Sequence, residues 1–463
     1  MSVAKGWTAE NAAGERPDDK PEAPRRDADG LVTTRREPER ALLAARLPRD
    51  DTRLDLPRPL AELALLAKTA GVTVAGEDLV QKRDHPDPAT CLGKGAVEEL
   101  GERLAREGAS VVIFDNELAP RQRRNLERLL GKKVIDRTEL ILDIFASHAR
   151  TPQARRQVEV AQLEYALPRL RRLWSHLDPG VGLRGPGEKQ LEVDKRLVRK
   201  RIQELKDELS RFRARKEREV RTRKESFTVA LVGYTNAGKS TLMNALTAAD
   251  VYVADQLFAT LDTRTRIWEV GPNRRVLLSD TVGFIRHLPH RLVESFHATL
   301  EEVTQADLLL HVVDASDPQP LEQVKAVREV LEQIGAKGRE ELILLNKIDQ
   351  TPPELLPYLE RRLVNTQRIS ARSGEGLAAL KERINELAAR GEREQELLID
   401  VREGRAIALL RAQAELLGEE LEDEQLRFHV RCDPRLIGAL RAALSRPGAL
   451  VVVGEELQPE PWE

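Results

Sequence analysis

The sequence predicts a multidomain α/β protein, and three observations support this. Its length of 463 residues corresponds to about three domains. Strand-like and helix-like runs alternate over residues 38–150 and again over 226–391, which indicates parallel sheets covered by helices. Residues 151–225 show helical periodicity only, and residues 392–463 predict a small α+β domain.

Composition sets limits on the environment and on the partners. Apolar residues make up 41% of the chain and charged residues 33%, with a formal net charge of −2. A near-neutral chain has no general affinity for nucleic acid, so any such surface must be local. Cys91 and Cys432 lack metal-ligand spacing, and no apolar run approaches the roughly 20 residues of a membrane helix. We expect a reduced, cytoplasmic protein that does not enter a membrane, and we expect a monomer.

The N-terminal tail and the first α/β domain differ sharply in composition. Residues 1–37 carry seven Lys/Arg and eight Asp/Glu with few large apolar residues, which predicts disorder. In residues 38–150, Gly93-Lys94-Gly95 precedes a helical run. We interpret it as a loop-to-helix turn, with phosphate binding as the weaker alternative. The predicted strands are Ala41–Leu47, Val72–Ala75, Val111–Asp115 and Lys133–Ile135, and helices include Leu60–Ala70 and Ala96–Arg106.

Residues 151–225 predict an antiparallel helical hairpin. Two runs with apolar residues three and four apart flank Asp178–Glu188, which contains four glycines and two prolines. Pro168 lies inside the first run and is expected to kink that helix. The second helix, if continuous from Glu188 to Lys224, would be roughly 55 Å long at 1.5 Å per residue.

The second arm of this hairpin concentrates positive charge. Lys195–Lys224 holds fourteen Lys/Arg against five Asp/Glu. Such a helix favours contact with a phosphate backbone, and the alternative is a solvated helix with intrahelical ion pairs. Phe212 is the one aromatic residue in this stretch, so backbone and shape contacts to folded RNA fit better than base stacking.

A phosphate-binding loop lies at the start of residues 226–391. The eight residues Gly233–Ser240, GYTNAGKS, follow the strand-like run Phe227–Val232 and precede the helical run Thr241–Thr247. This strand–loop–helix context makes Gly-x-x-x-x-Gly-Lys-Ser a specific signal for a nucleoside triphosphate. Gly233 and Gly238 let the backbone turn and direct its N–H groups at phosphate oxygens.

The side chains that follow supply charge and metal binding. Lys239 brings a positive charge to the terminal phosphates, and the Ser240 hydroxyl is placed to bind Mg²⁺. Asp280-Thr281-Val282-Gly283 follows the strand-like run Arg275–Ser279. Asp280 is expected to reach Mg²⁺ through water, and the Gly283 N–H to contact the γ-phosphate.

Two further motifs indicate guanine as the base. Asn346-Lys347-Ile348-Asp349 follows the apolar run Leu342–Leu345. The Asp349 carboxylate can accept from N1–H and the exocyclic amine of guanine, which adenine does not offer. Asn346 can brace the base site and the phosphate loop. Ser370-Ala371-Arg372, after the strand-like run Thr366–Ile369, can offer a backbone N–H to the guanine O6.

Sequence spacing leaves more than one candidate for the switch threonine. Phe258–Asp262 lies between the two phosphate motifs, and we assign Thr260 as the threonine that completes the Mg²⁺ shell. Thr263 and Thr265 remain alternatives. Phe284 occupies the position where many GTPases carry a glutamine that orients water, so slow intrinsic hydrolysis is expected. Asn236 is a candidate for seating K⁺ beside the phosphates.

The C-terminal region offers no catalytic constellation. Its predicted elements alternate between strand and helix, and we interpret it as an interaction or packing module. They are the strands Leu397–Val401, Gln425–Val430 and Ala449–Val453 and the helices Ala406–Leu417 and Pro434–Leu444.

Together these stretches resemble the HflX-type GTPases, in the Obg–HflX-like branch of translation-associated GTPases. The shared words include FATLD (258–262), DTVGF (280–284), NKID (346–349), FDNEL (114–118), AQLEY (161–165) and RGPGE (184–188). The resemblance implies a parallel-sheet N-terminal α/β domain, a helical hairpin, a P-loop GTPase domain and a small α+β C-terminal domain. It also implies Mg²⁺-dependent GTP hydrolysis and binding to the large ribosomal subunit.

The resemblance assigns the GTP contacts motif by motif. Ser240 and Thr260 are then the Mg²⁺ ligands, and Lys239, Thr260, Gly283 and Asn236 the residues that support hydrolysis. The full set is Gly233, Tyr234, Thr235, Asn236, Ala237, Gly238, Lys239, Ser240, Phe258, Ala259, Thr260, Leu261, Asp262, Asp280, Thr281, Val282, Gly283, Asn346, Lys347, Ile348, Asp349, Ser370, Ala371 and Arg372.

One departure from the family pattern affects the switch. The family continues FATLD with Pro-Thr-Thr-Arg, whereas this chain has Thr263-Arg264-Thr265-Arg266. Without the proline, the switch loop is expected to be looser.

Three functions are consistent with these features. The first is a GTP-hydrolysing factor that binds the large ribosomal subunit and separates stalled or idle ribosomes, often under stress. The second is a GTPase that assists assembly of the large subunit. The third is a GTP-gated protein-binding switch without RNA contact, which the basic helix argues against.

Overall fold

The computed structural model describes residues 39–169, 186–222, 227–247, 257–258, 263–271, 274–286, 300–446 and 448–453. The predicted tail of residues 1–37 and residues 178–185 of the glycine-rich loop lie outside the described residues. Three sheets organise the described parts of the chain, as the sequence predicts.

The N-terminal sheet is wholly parallel, in the order β2-β1-β4-β5, with β3 pairing β1 beyond the end of β2. Its third strand was not predicted, because four residues without apolar alternation give no periodic signal. The strands are β1 (Arg40–Leu47), β2 (Thr73–Val74), β3 (Leu79–Lys82), β4 (Val111–Phe114) and β5 (Lys133–Asp136). The helices are α1 (Ala61–Thr69), α2 (Lys94–Glu107), α3 (Pro120–Leu130) and α4 (Arg137–His148).

The first helix of the hairpin, α5 (Pro152–Ala166), begins at a proline, and the Thr151 side chain accepts from the Ala154 N–H. The expected kink at Pro168 is wrong, because α5 ends two residues earlier. A proline has no N–H for the next helical bond and its ring clashes with the preceding turn, so it terminates this helix.

The second helix, α6 (Pro186–Thr222), is 37 residues long and matches the predicted continuous arm. Leu205 and Ile202 are buried against α5. Three ion pairs join the two helices: Arg156 with Glu208, Arg201 with Glu159 and Lys206 with Glu164. These pairs across the hairpin were not predicted, and they use some of the cations of α6.

The central sheet has the order β11-β10-β9-β6-β8-β7, and β7 alone runs antiparallel to its neighbour. The strand β7 was not predicted. Its first residues, 264–266, were expected to belong to a looser switch loop, and they are paired with β8 instead. The strands are β6 (Thr228–Gly233), β7 (Arg264–Gly271), β8 (Arg274–Asp280), β9 (Leu308–Asp314), β10 (Glu341–Asn346) and β11 (Thr366–Arg368), and the helices are α7 (Lys239–Thr247), α8 (Pro320–Gln333), α9 (Leu355–Arg362) and α10 (Leu377–Ala389).

The C-terminal sheet is antiparallel, in the order β13-β14-β12-β15. The predicted helix Ala406–Leu417 is too long, because its last residues belong to β13. All eight residues of this edge strand are exposed and four are glutamates, so it lacks apolar alternation. The elements are β12 (Arg393–Asp400), α11 (Gly404–Gln413), β13 (Glu415–Glu422), β14 (Gln425–Cys432), α12 (Arg435–Ala443) and β15 (Leu450–Val452).

The N-terminal and central domains share one apolar core. A single cluster of buried side chains runs from β1, α1 and α4 to β6, α7 and β9. At the boundary, the rings of Phe145 in α4 and Phe258 meet edge to face, with centroids 4.7 Å apart. The C-terminal domain has a separate core. The central sheet is therefore packed directly against the N-terminal domain.

Candidate nucleotide-binding site

The phosphate loop turns at two glycines that no other residue could replace without movement. Gly233 ends β6 with φ 149°, and Gly238 precedes α7 with φ 97°. A Cβ atom at Gly233 would collide with the Val312 carbonyl oxygen, and one at Gly238 would collide with the Asn346 amide. The loop is therefore fitted against β9 and against the predicted base-binding motif.

Lys239 is buried at the centre of this loop. Its Nζ donates to the carbonyl oxygens of Gly233 at 3.0 Å and Tyr234 at 2.8 Å. Burial lowers the pKa of Lys239 to about 8, and the neighbouring Asp280 carboxylate opposes that shift. A phosphate group next to this ammonium would supply the negative charge that stabilises it.

Ser240 and Asp280 lie together, as the metal prediction requires. The Ser240 Oγ donates to Asp280 Oδ2 at 2.8 Å, and Asp280 is the buried last residue of β8. A hydroxyl and a carboxylate beside a phosphate loop form the oxygen donor set that Mg²⁺ prefers. Among the described residues, no group of three or more His, Cys, Asp or Glu side chains could hold a metal. The Ser240 hydroxyl and the Asp280 carboxylate supply oxygen donors that fit Mg²⁺ shared with phosphate oxygens.

Gly283 lies against the phosphate loop. A Cβ atom there would come within 2.8 Å of Thr235 Cα and 3.1 Å of Lys239 Nζ. The backbone N–H of Gly283 is thus close to the predicted γ-phosphate position. The side chains of Thr281 and Val282 are buried, and the Thr281 hydroxyl donates to the Leu231 carbonyl at 2.7 Å. These two residues pack against the core and leave only their backbone for phosphate.

Phe284 forms part of the same arrangement. Its N–H donates to the Gly233 carbonyl at 3.1 Å, and its carbonyl accepts from the Thr235 N–H at 2.7 Å. The ring is 2% exposed. A buried phenyl ring cannot orient an attacking water, which agrees with the expectation of slow intrinsic hydrolysis.

The base-binding motifs meet at Asn346. Its Nδ2 donates to the Ala237 carbonyl at 2.8 Å, and its Oδ1 accepts from the Ala371 N–H at 2.9 Å. One side chain thus ties the phosphate loop to both predicted base contacts. Lys347, with φ 63°, donates from Nζ to Asp314 Oδ2 at 2.6 Å. Asp314 was not predicted, although its position at the end of β9, beside β10, would have indicated it.

Asp349 is exposed next to the buried Ser370. The Ser370 Oγ donates to Asp349 Oδ1 at 2.7 Å, and this hydrogen bond lowers the pKa of the Asp349 carboxyl. The carboxylate is therefore ionised at neutral pH and oriented by its neighbour. Ile348 lies between Lys347 and Asp349 in a short 3-10 helix, and Arg372 is exposed beside Ala371.

The switch threonine cannot be compared directly, because Ala259, Thr260, Leu261 and Asp262 lie outside the described residues. Phe258 is described, and its N–H donates to the Thr235 Oγ1 at 3.2 Å. The alternative Thr265 lies in β7, where its hydroxyl is 3.0 Å from the Ser279 hydroxyl. Thr263 donates to Glu302 Oε1 at 3.3 Å. Both alternatives are thus bonded to other protein groups.

Two loop residues point in directions that spacing did not reveal. The Tyr234 hydroxyl donates to Glu62 Oε2 in the N-terminal domain at 2.8 Å, so its side chain is turned away from the phosphate side. Asn236 is exposed with φ 60°. An asparagine tolerates this left-handed conformation better than most residues.

Among the helices that the structure describes, none combines the length and apolar character needed to cross a membrane.

Three family models match the chain. They are described as "GTP-binding GTPase N-terminal" (residues 58–146), "GTP-binding GTPase Middle Region" (148–223) and "50S ribosome-binding GTPase" (228–347).

Similar proteins match three quarters of the chain or more. GTPase HflX of Magnetococcus marinus is 44% identical, over 91% of this chain and 99% of its own. GTPase HflX of Escherichia coli is 46% identical, over 75% of this chain and 83% of its own. A solved GTP-binding protein of Sulfolobus solfataricus, in complex with GDP, is 26% identical over 76% of this chain and 99% of its own, with a TM-score of 0.39. The identity and coverage of the two curated relatives show that the chain belongs to the HflX family of GTPases.

Proposed function

We propose that this GTPase binds the large ribosomal subunit and uses GTP to separate stalled or idle ribosomes into subunits. The observation that carries the proposal is the cationic face of α6. At 100° per residue, the exposed Arg196 and Arg211 lie on the side opposite the buried Ile202 and Leu205, and the exposed Arg199 lies about 90° from the buried side. None of the three arginines is on the side that packs on α5, so all three are available to a negatively charged partner. The match to a model described as a 50S ribosome-binding GTPase supports the same partner.

The proposed roles in GTP hydrolysis are based on the positions of the residues in the nucleotide-binding site. Ser240, Thr260 and Asp280 are the residues that would hold Mg²⁺, with Asp280 acting through water. When bound, Mg²⁺ withdraws negative charge from the β- and γ-phosphates. Lys239 and the Gly283 N–H stabilise the charge on the γ-phosphate.

Base selection is assigned to the neighbouring motifs. Asp349 accepts from the guanine base, and the backbone of residues 370–372 contacts its O6. Asn346 holds these groups in register with the phosphate loop through its bonds to Ala237 and Ala371. The backbone of residues 233–240 is proposed to contact the phosphates.

We propose that the ribosome stimulates GTP hydrolysis, because Phe284 cannot orient the attacking water as a glutamine does. The ribosome is expected to accelerate hydrolysis by ordering the switch around the attacking water. The exposed Asn236 is proposed to seat K⁺ beside the phosphates, where the cation would add positive charge.

Co-sedimentation with purified large subunits tests the partner. The full chain is incubated with a non-hydrolysable GTP analogue or with GDP and pelleted with the subunits. Retention with the analogue and release with GDP is the expected result. Absence from both pellets would contradict ribosome binding.

Splitting is tested separately from binding. The chain and GTP are added to purified whole ribosomes, and free subunits are measured by sedimentation. A rise in free subunits is expected. An unchanged profile together with retention on large subunits would favour the assembly function instead.

A further inference from the structure

A cluster of charged side chains is buried where the N-terminal domain meets the phosphate loop. Arg137 begins α4, Asp115 follows β4, and Glu62 lies in the first turn of α1. These three positions converge at the carboxyl edge of the N-terminal sheet. We call the following six residues the interdomain cluster: Arg53, Glu62, Asp115, Arg137, Tyr234 and Arg286.

The interdomain cluster contacts the backbone of Arg286, two residues after the DTVGF motif. The Arg286 N–H donates to the Tyr234 hydroxyl at 2.7 Å, and the Arg286 carbonyl accepts from Arg137 Nη2 at 3.2 Å. Tyr234 in turn donates to Glu62, which also pairs with Arg137. Both backbone polar groups of Arg286, which follows the DTVGF motif, are therefore held through N-terminal residues.

The same short segment is joined to the phosphate loop. Phe284 exchanges two backbone hydrogen bonds with the loop, through Gly233 and Thr235. Gly283 is thereby placed beside Lys239. Residues 284–286 are thus fixed from both sides, and the backbone N–H of Gly283 takes its position from them.

The charges of the cluster depend on one another. Arg137 is 4% exposed and Asp115 is 7% exposed. The guanidinium groups of Arg137 and Arg53 lower the pKa of Asp115 despite its burial. Removing one partner would leave a buried charge uncompensated, so the cluster has essentially one stable arrangement.

Leu257 and Phe258, where the other switch motif begins, also contact the N-terminal helices α1 and α4. The Leu257 N–H donates to Thr69 Oγ1 in α1 at 3.3 Å. The Phe258 ring packs on Phe145 of α4, and the His148 ring is hydrogen-bonded to the Phe258 backbone. Helices α1 and α4 therefore contact the backbone on both sides of the phosphate loop.

From these contacts we infer that Glu62 and Arg137 are positioning residues for GTP hydrolysis. Glu62 orients Tyr234, Arg137 holds the carbonyl of Arg286, and together they place the Gly283 N–H against the γ-phosphate. The inference rests on the proposed function of the nucleotide site. It assigns to the N-terminal domain a direct part in the geometry of the reaction, since small displacements of a contacting group reduce rates strongly.

The test compares Glu62→Gln with Glu102→Gln, an exposed glutamate on α2. In the full chain, Glu62→Gln should lower kcat by about tenfold, with and without large subunits, because the Gly283 contact is made in the transition state. The dissociation constant for GDP should change less than about twofold, since GDP lacks the γ-phosphate. Glu102→Gln should leave both values unchanged.

A double-mutant cycle distinguishes positioning from simple loss of stability. Tyr234→Phe removes only the hydroxyl, and combined with Glu62→Gln it should lower kcat no further than either single change. Additive losses would overturn the inference, as would an unchanged or raised kcat in Glu62→Gln beside an active wild type. A wild-type chain that binds GTP without turnover would overturn the proposed function itself. Tyr234→Phe keeps every charge of the cluster, so its thermal unfolding is expected to match the wild type. Glu62→Gln removes a charge that pairs with the buried Arg137, so it is expected to unfold at a lower temperature, and kcat is measured well below that temperature.

Discussion

Asp349 is an exposed carboxylate whose Oδ1 atom accepts a hydrogen bond from the buried Ser370 hydroxyl. We predict that Asp349→Asn weakens GTP binding by about 100-fold, because two hydrogen bonds to an ionised acceptor are lost. Binding of xanthosine triphosphate should improve, since the amide can donate to the carbonyl at C2 of xanthine. Titration with both nucleotides measures this change.

Asp423→Asn is the matched control, because Asp423 is exposed on the β13–β14 turn with φ 51°, a conformation that asparagine accepts. An undiminished preference for GTP in Asp349→Asn would show that another group reads the base.

Lys239 gives the site a pH dependence. Its pKa of about 8 means that the free site loses the ammonium proton above that pH, while the bound phosphates need the charged form. Binding must then take up a proton, so GDP affinity should fall by about tenfold between about pH 7 and about pH 9. A lysine with its ordinary pKa of 10.5 would lose almost nothing over this range. Calorimetry in two buffers of different ionisation enthalpy measures the proton directly, and no uptake near pH 9 would contradict the prediction.

Asn236 is the residue to test for K⁺. Hydrolysis should be faster in K⁺ than in Na⁺ at equal ionic strength, and Asn236→Gly should remove the difference. Glycine is the suitable replacement because the position has φ 60°. Equal rates for the wild type in the two salts would contradict the assignment.

At the level of elements, periodicity and motif context predicted most strands and helices that bury an apolar face. It did not identify β3, β7, β9 and β13. Strand β3 has four residues, β7 follows a motif interpreted as loop, and β13 is exposed along its whole length. Strand β9 is a buried run without apolar alternation, and it was not assigned. These strands are stabilised by hydrogen bonds to neighbours, which local sequence does not reveal.

The exposed arginines of α6 lead to a prediction about ribosome binding. Changing Arg196, Arg199 and Arg211 to glutamate should weaken binding to large subunits and flatten its dependence on salt. Loss of three phosphate contacts should reduce the slope of log K against log salt by about 2. Co-sedimentation across a range of KCl concentrations measures the slope.

The control for α6 changes an equal number of exposed cations elsewhere, namely Arg361, Lys381 and Arg405. Binding that is independent of salt in the wild type would indicate docking to protein instead of RNA. Equal losses in the two triple variants would mean that net charge, and not this helix, determines binding.

At the scale of the whole molecule, the sequence predicted the order of domains but not how they pack. The nucleotide motifs could be assigned because each carries its own local signal. The contact between Glu62 and Tyr234 joins residues 172 positions apart, and nothing near either one indicates the other. The core shared by the first two domains was likewise invisible to periodicity, which reports only that a face is buried.

The C-terminal domain is joined to the central domain by polar contacts. Arg435 pairs with Asp307, which also accepts from Thr228 at the start of β6. Arg274 of β8 pairs with Glu392, just before β12. Such contacts fix orientation with little apolar burial, in contrast to the continuous core on the other side of the central sheet.

The position of α6 in the chain has a mechanical consequence. The helix ends at Thr222, and β6, which leads straight into the phosphate loop, begins at Thr228. The helix packs on α5 at Ile202 and Leu205, so a tilt of about 10° around that contact would displace the Pro186 end, roughly 28 Å away, by about 5 Å. A small tilt near the nucleotide domain would thus become a larger displacement at the tip, and a force on the tip would act as a torque on the end of α6 that precedes β6.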